Sequence, residues 1–214
     1  MVHIAKPQIK PKSKKQNVPD YLVREIIYGE RWFYRGYREV LAGLKKPEEI
    51  MACSSLQSVI VGYINNKLYN HLEDKGYWVL SNEIGNKLPQ KDKAGYDVAV
   101  FDEATLPPSQ INIHYPTVLP RLVVEVDLRV EAETPTADDI LIQLKTQRVL
   151  DFGAGKVIWF FTKSQKVLIA EKNKPWTIDT WDKEVELWEG LSINIASFLS
   201  KKGINPIDIP NASS

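Results

Sequence analysis

Two apolar runs in this chain each carry an acid where a packing side chain is expected. YDVAVF at 96–101 reads as a short strand with Asp97 just inside it, and LVVEV at 122–126 reads as a buried central strand with Glu125 near its end. Burying a carboxylate is costly unless it is paired, hydrogen-bonded or metal-bound. Two acids at comparable strand positions therefore call for a compensating partner. A divalent cation is one answer, since Mg2+ takes oxygen ligands, keeps several waters and typically binds one or two carboxylates. The other is that both acids end their strands and reach solvent or an arginine. Spacing alone leaves the two readings level.

The elements around these runs suggest one α/β (α+β) domain over residues 19–214, preceded by a basic, disordered tail at 1–18. That tail holds five lysines and little apolar content. From Tyr21 to Val40, aromatic residues punctuated by Gly29 and Gly36 suggest a short helix followed by a hairpin, with the aromatics packing rather than stacking on bases. Ser54 and Ser55 are placed to cap a helix whose apolar positions Leu56, Val59, Ile60, Tyr63, Ile64, Leu68 and Leu72 follow the 3.6-residue period. Strands are expected at Tyr77–Leu80, Gly85–Leu88 and Tyr96–Phe101. A loop with four of the thirteen prolines follows at 105–120. After the strand at 122–126 comes a helix over 138–152, with Ile140, Leu141, Leu144, Val149 and Phe152 inward. Strands at 156–162, 166–171, 177–181 and 185–187 and a last helix at 193–199 complete the reading.

The bulk charge excludes a strong overall field for a polyanion, because 28 basic residues face 27 acids. Nucleic-acid binding has to come from local patches. Cys53 is alone, which excludes an internal disulfide or a cysteine-rich zinc site and fits a reducing, cytoplasmic setting; it reads as a small buried residue. His3, His71 and His114 are too scattered to form a ligand cluster. No uncharged run approaches the roughly 20 residues that span a bilayer, so no membrane partner is expected.

Taken in order, YDVAVFD (96–102), LVVEVD (122–127), Lys145 in the next helix, GAGKVIWFFTKSQKVLIAE (153–171) and LSINIASFL (191–199) give the chain a likeness running from about Ser54 to Phe198. Through them it resembles the Uma-two family of restriction-endonuclease-like proteins, a branch of the PD-(D/E)XK nuclease superfamily. The resemblance implies a central mixed β-sheet flanked by helices and hydrolysis of phosphodiester bonds, with DNA as the partner and Mg2+ or Mn2+ as cofactor. It implies Asp97 and Glu125 as metal ligands and Lys145 as a lysine that has migrated to the helix, since Asp127 stands where the superfamily's usual lysine would be. Tyr96 replaces the usual proline, and SSLQS (54–58) lacks the histidine many members carry at that helix start.

Three further residues are candidates. Asp127, two positions beyond Glu125, would share its face on a continuing strand and become a third acidic ligand. Glu83 would reach the cluster from a neighbouring strand, and Gln147 stands close to Lys145 in sequence as a supporting group. Each also reads as an ordinary surface residue, as does Lys145 itself. A homodimer that cuts both strands is expected by analogy. A silent member of the same fold, serving as a nucleic-acid-binding or protein-interaction module, is the competing expectation, and the neutral charge and the displaced lysine favour it. Hydrolysis of another phosphate ester is a third.

Overall fold

The computed structural model describes residues 18–127, 130–132 and 138–206. The expected tail falls almost wholly outside them, but Val18, assigned to it, is 2% exposed and packs in the core. Strands β1 (Val23–Ile27) and β2 (Glu30–Tyr34) pair antiparallel around Tyr28 and Gly29, whose φ angles of 52° and 74° are the two left-handed values that a tight two-residue hairpin loop requires. The expected order of helix then hairpin is reversed. Among the described residues, β1 is preceded by a 3-10 turn, Asp20–Leu22, and no longer helix, because Val23, Glu25 and Ile27 bury alternate residues with the period of a strand. Helices α1 (Tyr37–Leu41) and α2 (Pro47–Met51) follow the hairpin.

Helix α3 (Ser55–Leu72) begins where Ser54 Oγ accepts the backbone N–H of Gln57, as the sequence suggests. Strand β3 (Tyr77–Lys87) is continuous where two strands were expected. A bulge at Asn82 and Glu83, both at positive φ, bends it without breaking its pairing to β4 (Lys93–Asp102). β5 (Leu122–Val126), β6 (Val130–Ala132), α4 (Asp138–Asp151) and β7 (Lys156–Phe161) come next. β8 (Lys166–Glu171), β9 (Thr177–Thr180), β10 (Val185–Trp188), β11 (Leu191–Ile193) and α5 (Ile195–Lys201) complete the chain. The large sheet runs β6-β2-β1-β4-β5-β7-β8-β9, with β3 also paired to β4 and only β5 and β7 parallel; β10 and β11 form a separate pair.

Alternation along β5 and β7 sorts the core into two layers. Val124, Val126, Ile158 and Phe160 pack with Ile60, Ile64 and Leu68 of α3. Val123, Val157 and Trp159 pack with Leu141, Val149 and Leu150 of α4. A sheet covered on both faces buries its central strands completely, which explains their near-continuous apolar runs. Val59 and Ile140, expected to face inward, are exposed; each sits at the margin of its helix's apolar stripe. Cys53 is exposed, not buried, because it lies in the link between α2 and α3 rather than in a layer.

One buried ion pair ties the hairpin to α4. Asp92 accepts the backbone N–H groups of Tyr28 and Gly29 at 2.8 Å each and Arg148 Nε at 2.6 Å. The Arg148 guanidinium also lies 4.6 Å from the Tyr28 ring centre and 4.0 Å from that of Phe152. Removing one partner leaves an uncompensated buried charge, which typically costs about 3–5 kcal/mol. Asp92→Ala is accordingly expected to lower the unfolding free energy by about that amount in urea titrations; a loss below roughly 1 kcal/mol would show that the pair does not hold the hairpin.

Candidate active site

The β4–β5 register builds the acid pair. Val98 pairs with Val124, Ala99 with Val123 and Val100 with Leu122, so one further antiparallel step sets Asp97 opposite Glu125. The two carboxylates are 5% and 2% exposed and close enough to repel. Asp97 Oδ2 accepts the backbone N–H of Val126 at 2.7 Å, which locks it to the strand carrying Glu125.

Lys145 reaches the pair from α4, itself only 3% exposed. Its Nζ lies 2.7 Å from Glu125 Oε1, 2.6 Å from Glu25 Oε1 and 2.8 Å from the carbonyl oxygen of Gly95. The rings of Tyr96 and Trp159, with centres 5.7 Å and 5.5 Å away, wall the ammonium in. Tyr96 thus shapes the lysine's pocket.

Two residues of this cluster were not legible as site residues. Glu25 comes from β1 and is 1% exposed. Gln57, in the first turn of α3, donates from Nε2 to the carbonyl of Val126 at 2.7 Å and approaches Asp97 Oδ2 at 3.5 Å. The only signal for Glu25 was an acid in a short apolar run, VREII, the same signature that marked Asp97 and Glu125. For Gln57 it was a polar residue at a position in phase with Ile60 and Ile64.

Of the other candidates, Asp127 does not continue the strand. Its φ of 61° turns the chain, and its two oxygens accept the backbone N–H and the hydroxyl of Thr162 at 2.7 Å and 2.5 Å. It therefore leaves Glu125's face. Glu83, on the β3 bulge, binds Arg24 at 3.1 Å, and Arg24 Nε is 3.9 Å from Glu25; Glu83 thus touches the cluster through Arg24 rather than through Asp97. Gln147 is exposed and donates to Asp151 at 2.6 Å, because two residues along a helix turn it about 200° away from Lys145. It is not part of the cluster.

Charge is unbalanced in this dry pocket. Burial, then the charges of Asp97 and Glu25, push the Glu125 carboxyl up to about 8, even though Lys145 pulls the other way. Burial alone would lower Lys145, but Glu125 and Glu25 reverse that and leave the ammonium above its ordinary value. Lys145 thus stays charged, while Glu125 holds a proton near neutral pH. Two oxygen-donor carboxylates facing each other, one of them short of positive charge, suit an ion such as Mg2+ or Mn2+ that fills its other positions with water and phosphate. Among the described residues no cluster of three or more His, Cys, Asp or Glu is placed to hold a metal.

Beside the pair lies a groove of about 1320 Å³ lined by Gln57, Asp127 and Thr162, by the basic Arg35, Lys45, Lys163 and Lys166, and by Glu39, Glu49 and Asp139. Gln57 stands between this groove and Asp97.

An acid whose pKa is raised on folding contributes stability that is complete below its unfolded value and is lost as the pH climbs to the folded one. Between the ordinary 4.5 and about 8, Glu125 should therefore make the fold less stable with rising pH, by up to ~1.4 kcal/mol per pH unit. Glu125→Gln, neutral throughout, is expected to flatten that slope in urea unfolding followed across this range. Parallel slopes for the two proteins would place the proton elsewhere.

No family model and no curated protein matches the chain. Among solved structures, a crystallised protein from Anabaena variabilis described as "a putative nuclease belonging to DUF820" superposes with a TM-score of 0.61 and 13% identity, over 82% of this chain and 89% of that one. A DNA complex of DrdV, solved by electron cryomicroscopy, aligns with a TM-score of 0.34 and 14% identity over 57% of this chain and 10% of its own, a likeness too slight to bear on the fold. Among the described residues no helix is long and apolar enough to cross a membrane. The Anabaena likeness shows the fold: an α+β chain with a central mixed sheet flanked by helices, of the kind found in that protein.

Proposed function

We propose that the chain is a divalent-cation-dependent endonuclease of the Uma-two type that hydrolyses phosphodiester bonds in DNA, with Asp97 and Glu125 as ligands for Mg2+ or Mn2+. The observation that carries this reading is the opposition of those two buried acids across β4 and β5 with the Lys145 ammonium 2.7 Å from one of them. The Anabaena protein's description supports the same activity. When bound, the cation supplies a polarised phosphoryl oxygen and a water of lowered pKa.

The chain's own groups do the rest. Val126 N–H holds Asp97 in place, and Glu125 gives up its proton when its charge is required. Lys145, charged at neutral pH, stabilises negative charge growing on the phosphate. Lys163, Lys166, Lys45 and Arg35 line the groove beside the pair and offer contacts to phosphates that position a strand without reading its sequence. A homodimer of this unit would bring two such centres to the two strands of a duplex.

A second reading, a silent module that binds nucleic acid or protein through the groove, is favoured by one observation: Gln57 closes the acid pair from the groove while Asp97 and Glu125 are 5% and 2% exposed. Calorimetry with Mn2+ near pH 7, repeated in buffers of different protonation enthalpy, separates the two. The nuclease reading expects binding that releases close to one proton, because Glu125 must ionise. Glu125→Gln should abolish the proton release, and Asp97→Asn should weaken binding about tenfold or more. Plasmid nicking should require Mn2+ or Mg2+ and fall at least ~100-fold in Asp97→Asn. Binding without nicking would support the silent module, and no uptake of Mn2+ would sink the assignment of the ligands.

A further inference from the structure

An ammonium carries three N–H groups and no acceptor. Lys145 Nζ donates to Glu25 Oε1 at 2.6 Å and to the Gly95 carbonyl at 2.8 Å. Glu125 Oε1, 2.7 Å away, pairs with the ammonium by charge but takes no hydrogen bond. While Glu125 stays there, it keeps a phosphate oxygen or a water from the third N–H. It has to yield for Lys145 to act, and the three contacts are not alike. The Gly95 carbonyl belongs to β4 and is fixed by the sheet. Glu125 faces Asp97 and is needed there. Glu25 stands on the other side of the lysine, and its Oε2, like Glu125 Oε1, is buried without a hydrogen-bond partner. A buried carboxylate oxygen left unpaired is unfavourable, so its retention asks for a reason.

Glu25 is also braced from behind. Arg24 Nε lies 3.9 Å from its Oε1, and Glu83 Oε2 holds the Arg24 guanidinium at 3.1 Å. Burial alone would lower the Arg24 pKa, but Glu25, Glu83 and Glu125 together raise it, so the guanidinium remains a fixed cation beside Glu25.

We propose that Glu25 is the positioning residue of this site: with the Gly95 carbonyl it keeps the Lys145 ammonium in place when Glu125 lets go, so that the third N–H is offered where Glu125 then points. This rests on reading the cluster as a nuclease centre, but the arrangement it describes exists in the protein whether or not the centre cleaves. Glu25 acts only through the lysine. It touches neither substrate nor the reacting atoms.

The test has two arms on the full chain. The first is the side-chain ammonium signal of Lys145 in a proton–nitrogen NMR spectrum, assigned by its loss in Lys145→Met. A buried ammonium held by two hydrogen bonds and an ion pair is immobile and slow to exchange, so the wild type should show it. Glu125→Gln should keep it, Glu25→Ala should lose it, and Glu25→Gln, whose amide oxygen accepts the same bond, should regain it. Loss in Glu125→Gln together with retention in Glu25→Ala would overturn the proposal, and this arm decides even if no variant cleaves DNA. In the second arm, Glu25→Ala should lower kcat of plasmid cleavage about 100-fold with KM changed less than about threefold, and Glu25→Gln should recover to within about tenfold of wild type. In a Lys145→Met background, Glu25→Ala should lower kcat no further, since the two act as one unit. A second full loss in that background, or equal losses for the Ala and Gln variants, would show that Glu25 contributes its charge directly and refute the positioning role. A wild type that neither binds Mn2+ nor cleaves would fault the nuclease reading and leave the NMR arm to decide Glu25.

Discussion

Lys145 brings one positive charge into a pocket where two carboxylates lie within 2.7 Å of it and a third, Asp97, stands next to one of them. Four separate elements deliver these groups: β1 for Glu25, β4 for Asp97, β5 for Glu125 and α4 for the lysine. The sheet sets the spacing of the acids, because register leaves no freedom between paired strands. Helix α4 has no such lattice. Its rotation and height are set one turn further along, where Arg148 meets Asp92. Arg148 is three positions beyond Lys145, which puts them on one face of the helix. Asp92 in turn grips both N–H groups of the Tyr28–Gly29 loop at the end of β1. One ion pair therefore locks the helix to the strand that carries Glu25. The placing of Lys145 thus depends on a contact outside the cluster.

Much of the scaffold was readable in the chain. The acid-interrupted strands β4 and β5, the capped helix α3 and the apolar runs of β5 and β7 follow from period and composition. These are local properties, and burial on both faces amplifies them. Asp97 and Glu125 were visible as charges inside apolar runs, although the runs alone left a strand-end reading level with a site reading and only the family resemblance separated them. Glu25 carries the same mark in VREII, but the stretch from Tyr21 reads as a short helix followed by a hairpin, which gives this acid no place in a buried strand. Its real partner is 120 residues away along the chain. Gln57 was hidden differently: a polar residue at a helix start reads as part of a cap, and only the fold reveals that its amide reaches Val126. Gln147 failed for a reason that helical geometry already contains. A neighbour two residues on does not share a face.

The imbalance of charge gives the cluster its chemical character. A structural ion pair settles near neutrality, each carboxylate matched and each donor used. Here a carboxyl holds its proton well above the ordinary range, and two buried oxygens, Glu25 Oε2 and Glu125 Oε1, are left without a hydrogen-bond partner. Apolar residues of similar volume would make such a pocket at least as stable. The arrangement is therefore better suited to receiving positive charge than to holding the fold together. Gln57 completes it by closing the side towards the groove with a neutral amide.

The position of the lysine follows from the end of β5. A lysine two residues after Glu125 would serve the pair only if the strand ran on, so that both side chains stood on one face. In this chain the strand stops at Val126. Residue 127 adopts a left-handed φ of 61°, and its side chain is drawn to the Thr162 backbone at the end of β7. A lysine there would be carried away from the acids by the turn, whereas an aspartate is tolerated in that conformation and finds two donors. The amine must come from another element that crosses Glu125's face of the sheet. Helix α4, the link between the parallel strands β5 and β7, is the element that does. The turn at Asp127 and the lysine at 145 are two consequences of one short strand.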